Sequence, residues 1–146
     1  MTVKKFCTFL IDGNFFGVEI GKVFALVKDI PMIRVPMASR FVKGLIQYRG
    51  QIITVISIRK VFDLPEIELG ENYAHVIVRT KYGLVSFLVD ELKDIEEITR
   101  NIRIEVPKVI HGVDRYFVSQ AYRIDETLLL ILDSEKVVEF RSDRIS

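Results

Sequence analysis

Tryptophan is absent from this chain of 146 residues, and the residues that do most covalent and metal chemistry are scarce, with one Cys and two His. A single cysteine excludes an internal disulfide framework. Cys7 lies in the apolar run Phe6-Cys7-Thr8-Phe9-Leu10-Ile11, where a thiol reads as buried and inert. His75 and His111 stand 36 positions apart, which matches no zinc spacing, so both read as exposed or core-edge side chains rather than as ligands. Charge of one sign is also lacking: 21 Lys and Arg face 20 Asp and Glu, the net charge is +1, and no block of five like charges occurs. The electrostatic footprint of a nucleic-acid binder is therefore missing. Nowhere do apolar residues run to the ~20 needed to span a bilayer, and Thr8 and Asp12 interrupt the N-terminus too early for a signal peptide, so a cytosolic protein is expected.

Catalytic constellations are equally thin. The carboxylate pairs Glu96-Glu97, Glu66 with Glu68, and Asp90-Glu91 fall in charged segments and read as solvated faces rather than as opposed acid and base. Gly13, Gly17 and Gly21 follow neither the dinucleotide-binding nor the P-loop pattern and read as turn and close-packing glycines. Ser57 and Ser86 lack the flanking glycines of a nucleophile elbow. No enzyme activity, metal or cofactor is expected.

What the chain has in abundance is β-branched apolar residues. Its 18 Val and 19 Ile make up about a quarter of the sequence, and apolar residues overall 49%, which favours strands and an all-β or mainly β fold. Apolar runs at 5–11, 15–20, 42–48, 52–58, 75–79, 84–89, 117–124 and 128–132 are separated by turn signals and read as strands. Asp12-Gly13-Asn14, Arg49-Gly50-Gln51 and Asp125-Glu126-Thr127 read as tight hairpin turns. Two short helices follow strands directly, at 58–64 and 134–140, the second with Ser134 as its cap and Glu135 in its first turn. Residues 91–99 fit two patterns, since Leu92, Ile95 and Ile98 have helical spacing while an internal repeat argues for a strand.

That repeat is the most informative feature. A shift of 76 residues lays 41–64 on 117–140 without a gap; 12 of the 24 pairs are apolar in both copies and 8 are polar in both. A shift of 69 lays 17–23 on 86–92 more weakly. Two modules follow, 1–64 and 73–140, joined by a linker at 65–72 and ending in a polar tail at 141–146. Modules so short remove their sheet edges by closing into small barrels, so two SH3-like five-stranded β-barrels packed together are expected. Whether the first strands are exchanged between them stays open. Apolar residues near loops and edges, among them Phe15-Phe16, Val23-Phe24, Ile30-Pro31-Met32-Ile33 and Tyr116-Phe117, suggest a surface for another protein, or the seam between the modules.

Residues 34–59 carry a family likeness. Arg34-Val35-Pro36, Phe41-Val42-Lys43-Gly44-Leu45-Ile46-Gln47-Tyr48-Arg49-Gly50, and Val55-Ile56-Ser57-Ile58-Arg59 resemble the signature of the CheW-like family of chemotaxis coupling proteins. Leu88-Val89-Asp90 resembles its V-D step, and 128–136 its closing strand and helix. The resemblance implies a cofactor-free adaptor that bridges the cytoplasmic tip of a chemoreceptor to the regulatory domain of the histidine kinase CheA. Such a protein is cytoplasmic, associates with membrane receptor arrays, and assembles into rings with paralogues. By the same resemblance the receptor-binding groove takes in Val23, Ala25, Gly44, Arg49 and Gly50, and the kinase-binding side Phe117, Val118 and Gln120. Arg49 is open to a second reading, in which it caps carbonyls and locks its turn. Ala25, Gln47, Thr54 and Ser57 depart from the family pattern and bear on which partner is bound. The chain opens at a Met and ends in a polar tail, so a stand-alone protein is expected; the alternatives are a CheW-like regulatory module of a larger signalling protein, and a small-barrel nucleic-acid binder.

Overall fold

The computed structural model describes residues 3–36, 39–99 and 102–145, with side chains described as far as Phe140. The fold is mainly β. Its strands are β1 (Lys4–Ile11), β2 (Asn14–Glu19), β3 (Val23–Val27), β4 (Val42–Tyr48), β5 (Gln51–Ser57), β6 (Ala74–Thr80), β7 (Gly83–Val89), β8 (Glu91–Ile98), β9 (Arg103–Ile104), β10 (Val118–Ile124) and β11 (Thr127–Leu132). Two helices, α1 (Ile58–Val61) and α2 (Ser134–Ile145), follow β5 and β11. All eight apolar runs are strands, and all three turn signals close hairpins, pairing Ile11 with Asn14, Tyr48 with Gln51 and Ile124 with Thr127. Periodicity missed β3 and β9: the first has partly polar flanks, and the second is two residues long. The 91–99 segment resolves as strand β8, because its residues pair along β1 from Leu10↔Glu91 to Lys4↔Ile98.

The strands form two sheets, ordered β8-β1-β2-β11-β10-β9 and β3-β6-β7-β5-β4. The first holds β1 and β2 from the start of the chain beside strands from its second half; the second holds β6 and β7 beside strands from its first half. The first two strands of each repeat are thus exchanged, which answers the question the sequence left open. The exchange runs along two parallel seams, β2 with β11 and β5 with β7. Shifts of 69 and 76 residues carry the pair Phe16↔Leu130 of one seam onto Val85↔Thr54 of the other. Both repeats found in the sequence are therefore parts of a single internal symmetry.

The symmetry extends to details. Each copy carries a bulge at the same point, between Val42 and Gly44 and between Val118 and Gln120. Each helix is capped from the residue before it, by the Ser57 hydroxyl accepting from the Lys60 N–H at 3.3 Å and by the Asp133 carboxylate accepting from the Lys136 N–H at 3.1 Å. Ser134, expected to cap α2, is instead its first residue: its hydroxyl is buried without a partner, and Asp133 does the capping. Ser57, a departure from the family pattern, still does the work of a cap. α2 continues past 140 to Ile145; the side chains of the expected polar tail lie outside the described residues.

The inner strands of each sheet are buried on both faces, which is why β1 and β7 read as nearly unbroken apolar runs. Between the sheets Phe9, Ile11, Phe16 and Val18 meet Val76, Val78, Val85, Phe87 and Val89. Phe62, Phe117, Phe140 and Phe41 extend this core as a chain of rings, with centroids 5.2 to 5.9 Å apart. Smaller clusters fill the opposite faces, Phe6, Ile98, Tyr122, Leu129 and Ile131 on the first sheet, and Ile46, Ile53, Val55, Ile77 and Leu88 on the second. Of the residues held to be surface or seam, Phe16 and Phe117 are core while Ile33 and Tyr116 are exposed.

Cys7 is buried as read, and burial pushes its thiol up to about 11. The native protein is expected to leave a disulfide-exchange reagent unreacted at pH 8 and to react within the dead time in denaturant; fast labelling of the native state would contradict the burial. His75 departs from expectation. It is fully buried in β6, with Nδ1 3.0 Å from the Ser86 hydroxyl and Nε2 unpartnered, so it belongs to the core rather than its edge. Burial holds its pKa down at about 4, against an ordinary 6.5. The folded state therefore binds fewer protons than the unfolded one between these values. The stability contributed is fully present above pH 6.5 and is lost as the pH falls toward 4, about 2 kcal/mol by pH 5. Urea unfolding at pH 7 and pH 5 checks this, since His75→Gln should show a flatter pH dependence than the parent, and equal slopes would refute the assignment.

Candidate functional site

The residues singled out at the Arg-Gly turn and on β3 come together at one rim of the second sheet. β3 and β4 are its outer strands, yet Phe24 of β3 meets Tyr48 at the end of β4 edge-on, with ring centroids 6.3 Å apart. Val23 and Ala25 flank Phe24 in the chain and are half-buried, while Arg49 and Gly50 follow Tyr48 and are exposed. Both turn residues adopt positive φ, 50° and 80°, as a two-residue hairpin turn demands. The Arg49 guanidinium lies 5.3 Å from the Tyr48 ring centroid, and no side-chain hydrogen bond holds it among the described residues. The turn is fixed by its backbone, so the carbonyl-capping reading of Arg49 falls away.

Gly44, the remaining groove residue, is buried rather than on the rim. The segment before β4 crosses it, with Ile33 and Leu45 exchanging backbone hydrogen bonds of 2.8 and 2.7 Å. A Cβ at position 44 would lie 2.5 Å from the Ile33 carbonyl oxygen and 2.9 Å from Met32 Cγ. Glycine lets the 30–33 segment lie flat against the sheet beneath the rim.

A second centre, absent from the sequence reading, joins two motif residues. Arg59 of α1 reaches the turn after β7 and makes a bidentate pair with Asp90, Nε and Nη2 donating at 3.0 and 2.7 Å. Asp12 of the first hairpin lies 3.3 Å from the same guanidinium, its N–H donates to Asp90 at 2.8 Å, and Arg59 Nη1 donates to the Pro65 carbonyl at 3.1 Å. The Arg59 side chain is only 12% exposed. Hydrogen bonding to Asp90 raises its pKa. Asp90 is thus an engaged ion-pair partner, not the solvated carboxylate expected from its neighbour Glu91. Both residues stood in the motif; their meeting was hidden because they are 31 positions apart and on opposite sides of the exchange.

On the kinase-assigned side, Phe117 is 1% and Val118 7% exposed, so both support the surface from beneath instead of forming it. Gln120 is half-buried, accepts a hydrogen bond from the Tyr122 hydroxyl at 2.7 Å, and lines an open groove of about 620 Å³ with Arg103, Lys108 and Arg115. Among the described residues no group of His, Cys, Asp and Glu is arranged to hold a metal ion, and no helix is long and apolar enough to cross a membrane.

Comparison with known proteins agrees with this architecture. The model of the CheW-like domain family matches residues 5–141. Chemotaxis protein CheW of Bacillus subtilis (strain 168) is 24% identical over 143 residues, covering 98% of this chain and 92% of that protein. Chemotaxis protein CheW of Thermotoga maritima is 25% identical over 132 residues, covering 90% of this chain and 85% of the relative. The crystal structure of the scaffolding protein TtCheW from Thermoanaerobacter tengcongensis superposes with a TM-score of 0.85 at 25% identity, covering 94% of each chain. Signature, internal symmetry and fold agree along nearly the whole length, and the chain belongs to the CheW-like domain family as a chemotaxis scaffold of that kind.

Proposed function

We propose that the protein is a non-catalytic adaptor that couples the cytoplasmic tip of chemoreceptors to the regulatory domain of a CheA-type histidine kinase, at receptor arrays in the cytoplasm. The observation that carries this reading is the rim where β3 and the Arg-Gly turn converge, with Arg49 exposed and free of internal hydrogen bonds. Val23, Ala25, Arg49 and Gly50 form the receptor-facing surface, and Gly44 shapes it from below. The kinase contacts Gln120 and its groove, resting on Phe117 and Val118. Ring assembly with paralogues is implied by the likeness to the family.

The test is a pull-down of one ternary complex from purified receptor-tip fragment, kinase regulatory domain and this chain. The parent protein should retain both partners, and Arg49→Ala should lose the tip while melting as the parent does. A parent chain that binds neither partner would overturn the adaptor reading. A melting temperature that falls with Arg49→Ala, together with intact assembly, would return Arg49 to a structural role.

A further inference from the structure

The rim carries more than one cation. Arg79 of β6 places its guanidinium over the Phe24 ring, 5.2 Å from its centroid, as Arg49 lies over Tyr48. Arg49, Tyr48, Phe24 and Arg79 form a chain of contacts between the outer strands of the second sheet, each guanidinium lying over a ring and the two rings meeting edge-on. Its two ends differ. Arg79 Nη1 donates to the Val23 carbonyl at 3.2 Å and to that of Gly21 at 3.5 Å, which ties the start of β3 to β6. Arg49 makes no such bond. Among the described residues neither arginine forms an ion pair with a carboxylate, in contrast to Arg40, Arg59, Lys43, Lys60, Lys81 and Lys93. A guanidinium over a ring still has N–H donors to offer a partner.

We infer that Arg49 recognises a carboxylate on the receptor tip, and that Arg79 is a positioning residue that holds Phe24, and through it Tyr48, in the geometry that presents Arg49. The inference rests on the adaptor reading and adds the chemistry of the contact. A planar fork fits a carboxylate in two parallel hydrogen bonds, a geometry that an ammonium cannot reproduce. A positive rim without internal counter-charge would repel a basic partner segment and steer an acidic one.

Isothermal titration of the full-length chain with a receptor-tip fragment, at about 0.05 M and 0.5 M salt, tests both roles. Arg49→Gln is expected to weaken binding about tenfold at low salt and to flatten the salt dependence. Arg49→Lys should recover the salt dependence but only part of the affinity. Arg79→Gln should weaken binding severalfold while the salt dependence carried by Arg49 persists, and binding to the kinase regulatory domain should be unchanged in all three variants. Unaltered tip affinity in Arg49→Gln, with the parent binding normally, overturns the carboxylate assignment alone. Unaltered affinity in Arg79→Gln overturns the positioning role. If the parent itself fails to bind the tip, the adaptor reading falls and takes this inference with it.

Discussion

Gly44→Val is expected to lower the free energy of unfolding by about 4 kcal/mol, among the largest effects open to a single substitution in this chain. The cause is a collision with main chain, where an added Cβ meets the Ile33 carbonyl oxygen at 2.5 Å. A flexible side chain could rotate away, but this oxygen accepts the Leu45 N–H at 2.7 Å, and moving it breaks the bridge that fastens 30–33 to β4. Strain and a lost hydrogen-bonded pair therefore add. Gly44→Ala should lose about 2 to 3 kcal/mol, since the first carbon makes the contact and the branches worsen it. Urea denaturation of parent, Ala and Val variants measures the series. An alanine variant as stable as the parent would show that the segment is not clamped.

Removing Arg59 is the second large effect. Its guanidinium joins α1, the first hairpin and the turn after β7, and its side chain is 12% exposed. Arg59→Ala leaves Asp90 and Asp12 close together with no cation between them, and a loss of about 3 kcal/mol follows. Arg59→Lys keeps the charge but cannot supply the two parallel donors to Asp90, so it should recover less than half of that loss. Asp90→Asn alone should cost less than Arg59→Ala, because Asp12 remains as a partner. The double variant separates pairing from packing: if Arg59 and Asp90 act as a unit, its destabilisation falls well short of the sum of the two singles. Additive losses would assign the effect of Arg59 to its packed stem instead.

Much of the fold could be read from local pattern. The eight apolar runs and three hairpin turns depend on neighbours in sequence, so composition and turn chemistry sufficed to place them. The repeat went further, arguing for a strand at 91–99 where local spacing also fitted a helix, and the structure adds matching bulges and caps in both copies. β3 escaped because its side chains are partly exposed on an edge strand, so its alternation is weak. The site was legible only in pieces. Arg49 and Gly50 stood out as a motif, but the ring contact that ties them to β3 joins positions 24 and 48, and Arg79 comes from a strand in the other repeat. Gly44 read as a binding residue because a motif marks where glycine is required without saying why; the reason is the main chain lying over it. Phe117 and Val118 were placed on a face by likeness, yet Phe117 is buried in a chain of rings and Val118 in the core beside it, neighbours no linear pattern reveals. Asp90 and Glu91 looked alike in sequence, and only the arrival of Arg59 from α1 distinguishes them.

The strand exchange bears on how the protein comes into being. β1 is made first, yet its flanking partner β8 lies more than eighty residues downstream, and β2 takes β11 as its neighbour near the very end. During synthesis the opening hairpin emerges with both sheet edges unmatched and its apolar faces uncovered, and its β2 edge stays so until almost the whole chain has been translated. The first half alone lacks the strands that complete its sheets, so both sheets close only once the second half has been made.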